Sequence, residues 1–254
     1  KNISNFSGSA GIAIILKKKN YLFIDGRYTI QAQQESGKNF NIVEIHKTLP
    51  HKIIKNYNLG YDPTLFTSKN LKNYFLNNNL IPVNNNLIDQ IFKFREKKTK
   101  PFYSLKKNIV GETHLSKILK IANFLKSNKA DYLFTSAPEN VAWLLNIRGY
   151  DNPNSPIPNA RLIIDKNKKL FFITQKKNTK KIIKEKVVNK NQVIDIKDLP
   201  DLINGLKGKN FIIDNKSCSI FYENIIKSKF KILDKDDPIY KLKSIKNSNE
   251  INHM

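Results

Sequence analysis

Two short stretches of this sequence gather the side chains best suited to orienting a polar ligand. In Asp25-Gly26-Arg27-Tyr28, a carboxylate, a guanidinium and a phenol meet at a strand-to-helix turn, at the carboxyl end of an apolar run. In Asn146-Ile147-Arg148-Gly149-Tyr150-Asp151, a second Arg and Asp lead into a loop carrying Pro153, Pro156 and Pro158. Arg27, Tyr28, Arg148 and Asp151 are therefore the candidates for facing a substrate cleft. Structural roles compete with that reading. Asp25 can cap the helix while Arg27 pairs with a neighbouring carboxylate, and a bridge between Arg148 and Asp151 can stiffen the loop.

Other chemistries find little support. The histidines at 46, 51, 114 and 253 show neither a helical His-Glu-x-x-His pattern nor metal-ligand spacing with carboxylates, so no metal site is expected in this chain. Gly8 and Gly11 lie in a small-residue loop that precedes a strand, whereas phosphate loops precede helices. There is no Gly-x-Ser-x-Gly elbow for a serine nucleophile. Cys218 is the single cysteine; it follows an apolar strand and reads as a small helix-start residue rather than a catalytic thiol. With no internal disulfide available, a reducing compartment and a cytoplasmic location are expected.

The formal charge of +24 invites a nucleic-acid reading, but the charge is almost all Lys. Arg, the better residue for bidentate phosphate and base recognition, stands only at 27, 95, 148 and 161. The lysines are spread along the chain among Asn and Ile, as a solvated surface would be, so no specific nucleic-acid partner is expected. No apolar run reaches the roughly 18 residues of a membrane span, and no membrane partner is expected.

The elements that must position the two clusters are written twice. Gly11-Ile12-Ala13-Ile14-Ile15, a Lys-rich turn and Tyr21-Leu22-Phe23-Ile24 are echoed by Arg161-Leu162-Ile163-Ile164, a second Lys turn and Leu170-Phe171-Phe172-Ile173. Leu59-Gly60-Tyr61-Asp62 is echoed by Phe211-Ile212-Ile213-Asp214. This spacing points to two α/β copies, each a mixed sheet flanked by helices. The expected boundaries are 1–96 for the first copy, 97–112 for a linker, 113–236 for the second copy and 237–254 for the start of a further domain. The second copy opens with a helix, a strand at Asp131 to Thr135 and another helix; the first has no counterpart. A further segment of about 35 residues, one βαβ-sized unit, is expected upstream. Helices are expected from Arg27 to Ser36, Pro50 to Tyr57 and Thr179 to Val188. A last one, begun at Asp237, is expected to run on to Met254.

Six motifs in order carry a resemblance: Phe6-Ser7-Gly8-Ser9-Ala10-Gly11; Asp25-Gly26-Arg27-Tyr28 with Gln31-Ala32; Gly60-Tyr61-Asp62-Pro63; Asn86-Leu87-Ile88-Asp89-Gln90-Ile91; Ala142-Trp143-Leu144-Leu145-Asn146-Ile147-Arg148-Gly149; and Leu242-Lys243-Ser244-Ile245-Lys246-Asn247 with Glu250-Ile251. Together they resemble the N-terminal half of three-domain Xaa-Pro aminopeptidases, the aminopeptidase P family. Ser7, in place of the usual Thr, and His253 depart from the pattern.

The resemblance implies two creatinase-like, ribonuclease-H-like α/β domains ahead of a catalytic domain of the pita-bread fold. In that family the catalytic domain binds two metals, usually manganese, through two Asp, one His and two Glu. None of those ligands falls in this chain, so no cofactor is expected here. The implied role is non-catalytic: shaping the active-site cleft and a homodimer, with the chain's own catalytic domain and peptides with proline at the second position as partners. The alternative is a stand-alone peptide- or partner-binding module without peptidase activity.

Overall fold

Apolar, β-branched and aromatic runs become strands, and the segments between them fold into helices against both faces. The computed structural model describes residues 2–92, 100–152 and 154–254; residues 97–99 of the expected linker and Pro153 fall outside the described residues. Two compact units form, Lys1–Arg95 and Glu96–Met254.

In the first unit, β1 (Gly11–Ile15) and β2 (Asn20–Ile24) form the expected hairpin, and β3 (Asn41–Glu44) runs parallel to β2. Between β2 and β3 lies α1 (Thr29–Ser36). Its inward side joins Phe6, Leu22, Ile24, Ala32 and Phe40 in a small core. The helix expected over Pro50 to Tyr57 is cut to α2 (Pro50–Ile53), because the chain turns extended at Ile54. Residues 54–57 instead lead into β4 (Asn58–Tyr61). After α3 (Ser68–Tyr74), capped by Thr67, β5 (Asn79–Pro82) pairs parallel with β4, and α4 (Leu87–Ile91) follows.

The second unit begins differently from expectation. Part of the stretch expected to be linker forms β6 (Tyr103–Ser104) and α5 (Lys107–Val110). Phe102, wholly buried, anchors that stretch in the core, which is why a segment without apolar periodicity is nonetheless ordered. Next come α6 (His114–Ser127), capped by Thr113, then β7 (Tyr132–Thr135), α7 (Pro138–Leu145) and β8 (Ile147–Arg148), which pairs antiparallel with β6. The hairpin β9 (Arg161–Asp165) and β10 (Leu170–Ile173) follows. Then come α8 (Lys180–Lys184), β11 (Val193–Ile194), α9 (Leu199–Gly205), β12 (Asn210–Ile213), α10 (Ile220–Lys227) and β13 (Lys231–Asp234).

Six of these strands make one mixed sheet in the order β11-β10-β9-β7-β12-β13. At its centre, β7 runs antiparallel to β9 and parallel to β12. All four β7 side chains are buried, as a strand covered on both faces requires. Leu133 joins the core under α6 and α7, while Tyr132 and Phe134 join the core under α9 and α10.

The helix expected from Asp237 onward is two helices, α11 (Pro238–Ser244) and α12 (Ser248–Asn252). The break comes at Ile245, which is extended, and Asn247 starts a new helix through a capping box with Glu250. The expectation of one continuous helix missed this local hydrogen-bond solution. Ile239 is wholly buried in the core of the second unit.

Candidate functional site

Asp25, Arg27 and Tyr28 do come together. The Asp25 carboxylate accepts from the Arg27 backbone at 3.0 Å and from its Nε at 2.8 Å. Those Arg27 hydrogen bonds hold the carboxyl below its usual range. The Arg27 side chain is 72% exposed and lies 5.5 Å from the centre of the Tyr28 ring. The Tyr28 hydroxyl meets Ser9 Oγ at 2.7 Å, which draws its pKa down. Its ring packs edge-on against Phe6, 5.7 Å away. The Asp25 cap is thus present, yet it leaves the guanidinium open to solvent.

Arg148 and Asp151 are not partners of one another. Arg148 is half-buried, and its Nη1 donates to the carbonyls of Ile147 at 2.9 Å and Ala142 at 3.5 Å. It thereby satisfies an end carbonyl of α7, and burial pulls its pKa below the usual guanidinium range. Asp151 accepts from the Asn159 backbone at 2.6 Å and from Asn178 at 3.4 Å. The loop is therefore held by carboxylate-to-amide bonds, not by the expected bridge.

Beside Arg148 lies a feature that the residue types did not announce. A cleft of about 290 Å³ is lined by Lys117, Trp143, Asn146, Arg148, Glu250 and neighbouring side chains. Lys117 is only 1% exposed. Its ammonium donates to Asn146 Oδ1 at 2.7 Å and to the Trp143 carbonyl at 2.9 Å. It also lies 3.7 Å from the centre of the Trp143 ring, a desolvated cation–π contact. Burial pushes its pKa down to about 8, against the attraction of Glu250 and Glu112. Asn146 reaches this geometry through a left-handed backbone at the end of α7, and its amide donates to the Glu112 carbonyl at 2.9 Å. A lysine within the apolar stripe of α6 was the available signal, but such a lysine usually snorkels to solvent.

The same cleft receives the Lys243-to-Ile251 segment. Trp143 Nε1 donates to Glu250 at 2.9 Å, and Asn247 Nδ2 donates to the Val110 carbonyl at 2.9 Å. Gly111, at φ +70, stands so close that a Cβ there would meet Asn247 Oδ1 at 2.4 Å. Nearby, the buried Asp237 carboxylate accepts from Asn140 at 3.0 Å and caps α11 through the Ile239 amide at 2.9 Å. Lys243 donates to the other end of Asn140 at 2.6 Å. Burial raises the Asp237 pKa.

Residues 3–91 match the family model of the creatinase/prolidase N-terminal domain, and residues 94–250 match a second creatinase/prolidase N-terminal domain model. The chain belongs to the creatinase/prolidase N-terminal domain family. It is 28% identical over 275 residues to a probable Xaa-Pro aminopeptidase P of Laccaria bicolor, covering 98% of this chain and 42% of the relative. It is 28% identical over 286 residues to Xaa-Pro aminopeptidase 1 of Dictyostelium discoideum, covering 99% of this chain and 44% of the relative. Among solved structures, the X-prolyl aminopeptidase of Caenorhabditis elegans, a cytosolic enzyme with a di-nuclear active site, superposes with a TM-score of 0.81. That match is 21% identical and covers 99% of this chain and 44% of the other, and it shows the shared fold. The chain thus spans about two fifths of the length of the curated relatives it matches.

The side chains of the described residues do not fit a two-metal centre. Among the described residues, no group of three or more His, Cys, Asp and Glu could hold a metal ion. The buried Asp214 and Asp237 are spent on backbone amides and Asn140. No helix among the described residues is long and apolar enough to cross a membrane.

Proposed function

We propose that this chain is the non-catalytic N-terminal portion of an Xaa-Pro aminopeptidase, and that it shapes access to a di-metal centre carried by a following catalytic domain. The observation that carries the reading is the seat of the Lys243-to-Ile251 segment. The second creatinase/prolidase N-terminal domain, matched over residues 94–250, closes with a stretch fastened to its body by the Trp143–Glu250 and Asn247–Val110 hydrogen bonds. A segment held this way fixes the direction in which any further polypeptide leaves, as domain walls around an active site require.

In the whole enzyme, Arg27, Tyr28, Arg148 and Asp151 are the candidates for approaching the cleft, and the substrate is a peptide whose second residue is proline. The metals, manganese in this reading, are held by two Asp, one His and two Glu outside residues 1–254. The enzyme is a cytoplasmic homodimer, and nucleic acid and membrane are not its partners. The test is the polypeptide encoded beyond Met254. A catalytic domain with those five ligands supports the reading; a stop codon at that point overturns it in favour of a binding module without peptidase activity.

A further inference from the structure

The helix α12 is five residues long and has no buried side chain. So short a helix does not persist in water unaided, and with no apolar anchor it is held by polar contacts. Glu250 is at their centre. Its Oε1 accepts from Trp143 Nε1 at 2.9 Å, and its Oε2 accepts from the Asn247 amide at 3.0 Å, closing the capping box. Asn247 and Asn249 add bonds to the carbonyls of Val110 and Asn108 in α5.

The indole that donates to Glu250 carries the Lys117 ammonium on its face, 3.7 Å from the ring centre. A cation there draws π density from the ring and makes its N–H a stronger donor. Asn146 Oδ1 and the Trp143 carbonyl fix Lys117 in that position. Trp143 thus stands between a cation on its face and a carboxylate at its edge. Other charged groups nearby are engaged elsewhere. Glu112 attracts Lys117 but accepts from Ser116 and Lys120. Arg148 donates to the carbonyls of Ala142 and Ile147, and Lys246 to that of Lys243. His114, at the start of α6, is drawn below the ordinary histidine range by burial and by Lys117. His253, just after α12, completes the titratable lining.

We propose that Lys117, Trp143 and Glu250 form a charge relay that latches α12: the protonated amine keeps the indole N–H on Glu250 and the helix seated, and loss of that proton to solvent loosens α12 alone. The sign of the effect is distinctive. Deprotonation relieves a buried charge and steadies the body of the second unit, while Glu250 loses its counter-charge, so α12 loosens as the rest tightens. The relay is complete within Glu112–Glu250 and is independent of the peptidase reading.

Trp143 is the single tryptophan, so its emission and its one indole N–H resonance report this contact without a label. Both are followed in the 254-residue chain from about pH 7 to about pH 9.5, below the ordinary range of tyrosine ionisation. Emission changes with a midpoint at about pH 8. Across that midpoint, exchange of the indole N–H and of the Glu250 and Ile251 amides, corrected for the base-catalysed rate, quickens about fivefold, while β7 amides do not quicken. Lys117→Met removes both transitions. Glu250→Gln keeps an acceptor for Trp143 and a capping-box partner, so α12 stays seated and its corrected exchange loses most of its pH dependence. In the same variant the emission midpoint falls by about 0.7 of a pH unit, the fivefold coupling seen from the proton's side. The proposal is overturned by an emission transition that persists in K117M, by corrected α12 exchange that stays flat in the parent, or by an E250Q midpoint equal to the parent's.

Discussion

The indole N–H of Trp143 donates to Glu250 Oε1 at 2.9 Å across 107 positions of sequence, while the ammonium of Lys117 lies 3.7 Å from the centre of the same ring. One aromatic side chain thus joins α6, α7 and α12. Trp143→Phe keeps a ring face for Lys117 but removes the donor together with one ring of the indole. It is expected to destabilise the second unit by about 1–2 kcal/mol, the worth of a hydrogen bond to a carboxylate. Thermal denaturation should show the midpoint lowered by about 2–8 °C. In a double-mutant cycle with Glu250→Ala, the two losses should fail to add by about 1 kcal/mol. Additive losses would mean that the contact holds nothing.

Lys117 makes stability depend on alkaline pH. Its folded pKa of about 8 lies below its ordinary 10.5, so between these values the unfolded chain binds the proton and the folded chain does not. The buried charge therefore lowers stability in full below about pH 8, and that cost fades as the pH climbs toward 10.5. Glu112 and Glu250 oppose the effect; Arg148 and Lys120 add to it. Against Lys117→Met, the parent should gain about 2 kcal/mol over this window in urea denaturation, after allowance for partial solvation. Parallel pH profiles for the two proteins would contradict the burial of a charged lysine.

Immediately before β7, Asp131 does the reverse. Its carboxylate accepts from Lys166 Nζ at 2.7 Å and from the amides of Lys209 at 2.7 Å and Asn210 at 3.0 Å, tying β7 to β12. Burial alone would raise its pKa, but these donors bring it down to about 2 from 3.8. The stabilisation is present above about pH 4 and is lost as the pH falls toward 2. Solvent screening leaves about 1 kcal/mol of it, so the stability advantage over Asp131→Ala should shrink by that amount across the window. An advantage that stays constant to pH 2 would show that the amides, not the charge, carry the contact.

Much of this architecture was legible in the residues. The hairpins at 11–24 and 161–173, the Asp25 and Thr113 caps and the buried run Tyr132-Leu133-Phe134-Thr135 all follow from alternation, capping chemistry and apolar continuity. What escaped was decided by contacts between distant positions. Phe102 orders a Lys-rich stretch that has no periodicity, and the Asn247–Glu250 box breaks a helix that spacing alone would continue. The site was legible in part: Arg27 and Tyr28 meet as their spacing suggests, whereas Arg148 turns to carbonyls at the end of α7. Lys117 was hidden because its burial depends on Trp143 and Asn146, one helix further on.

The non-catalytic role is tested by hydrolysis of a proline-containing peptide such as Arg-Pro-Pro by the purified 254-residue chain with manganese. No release of the N-terminal residue above the buffer rate is expected, whereas cleavage is expected once the same chain is continued into a catalytic domain bearing the metal ligands. Turnover by the 254-residue chain alone would contradict it.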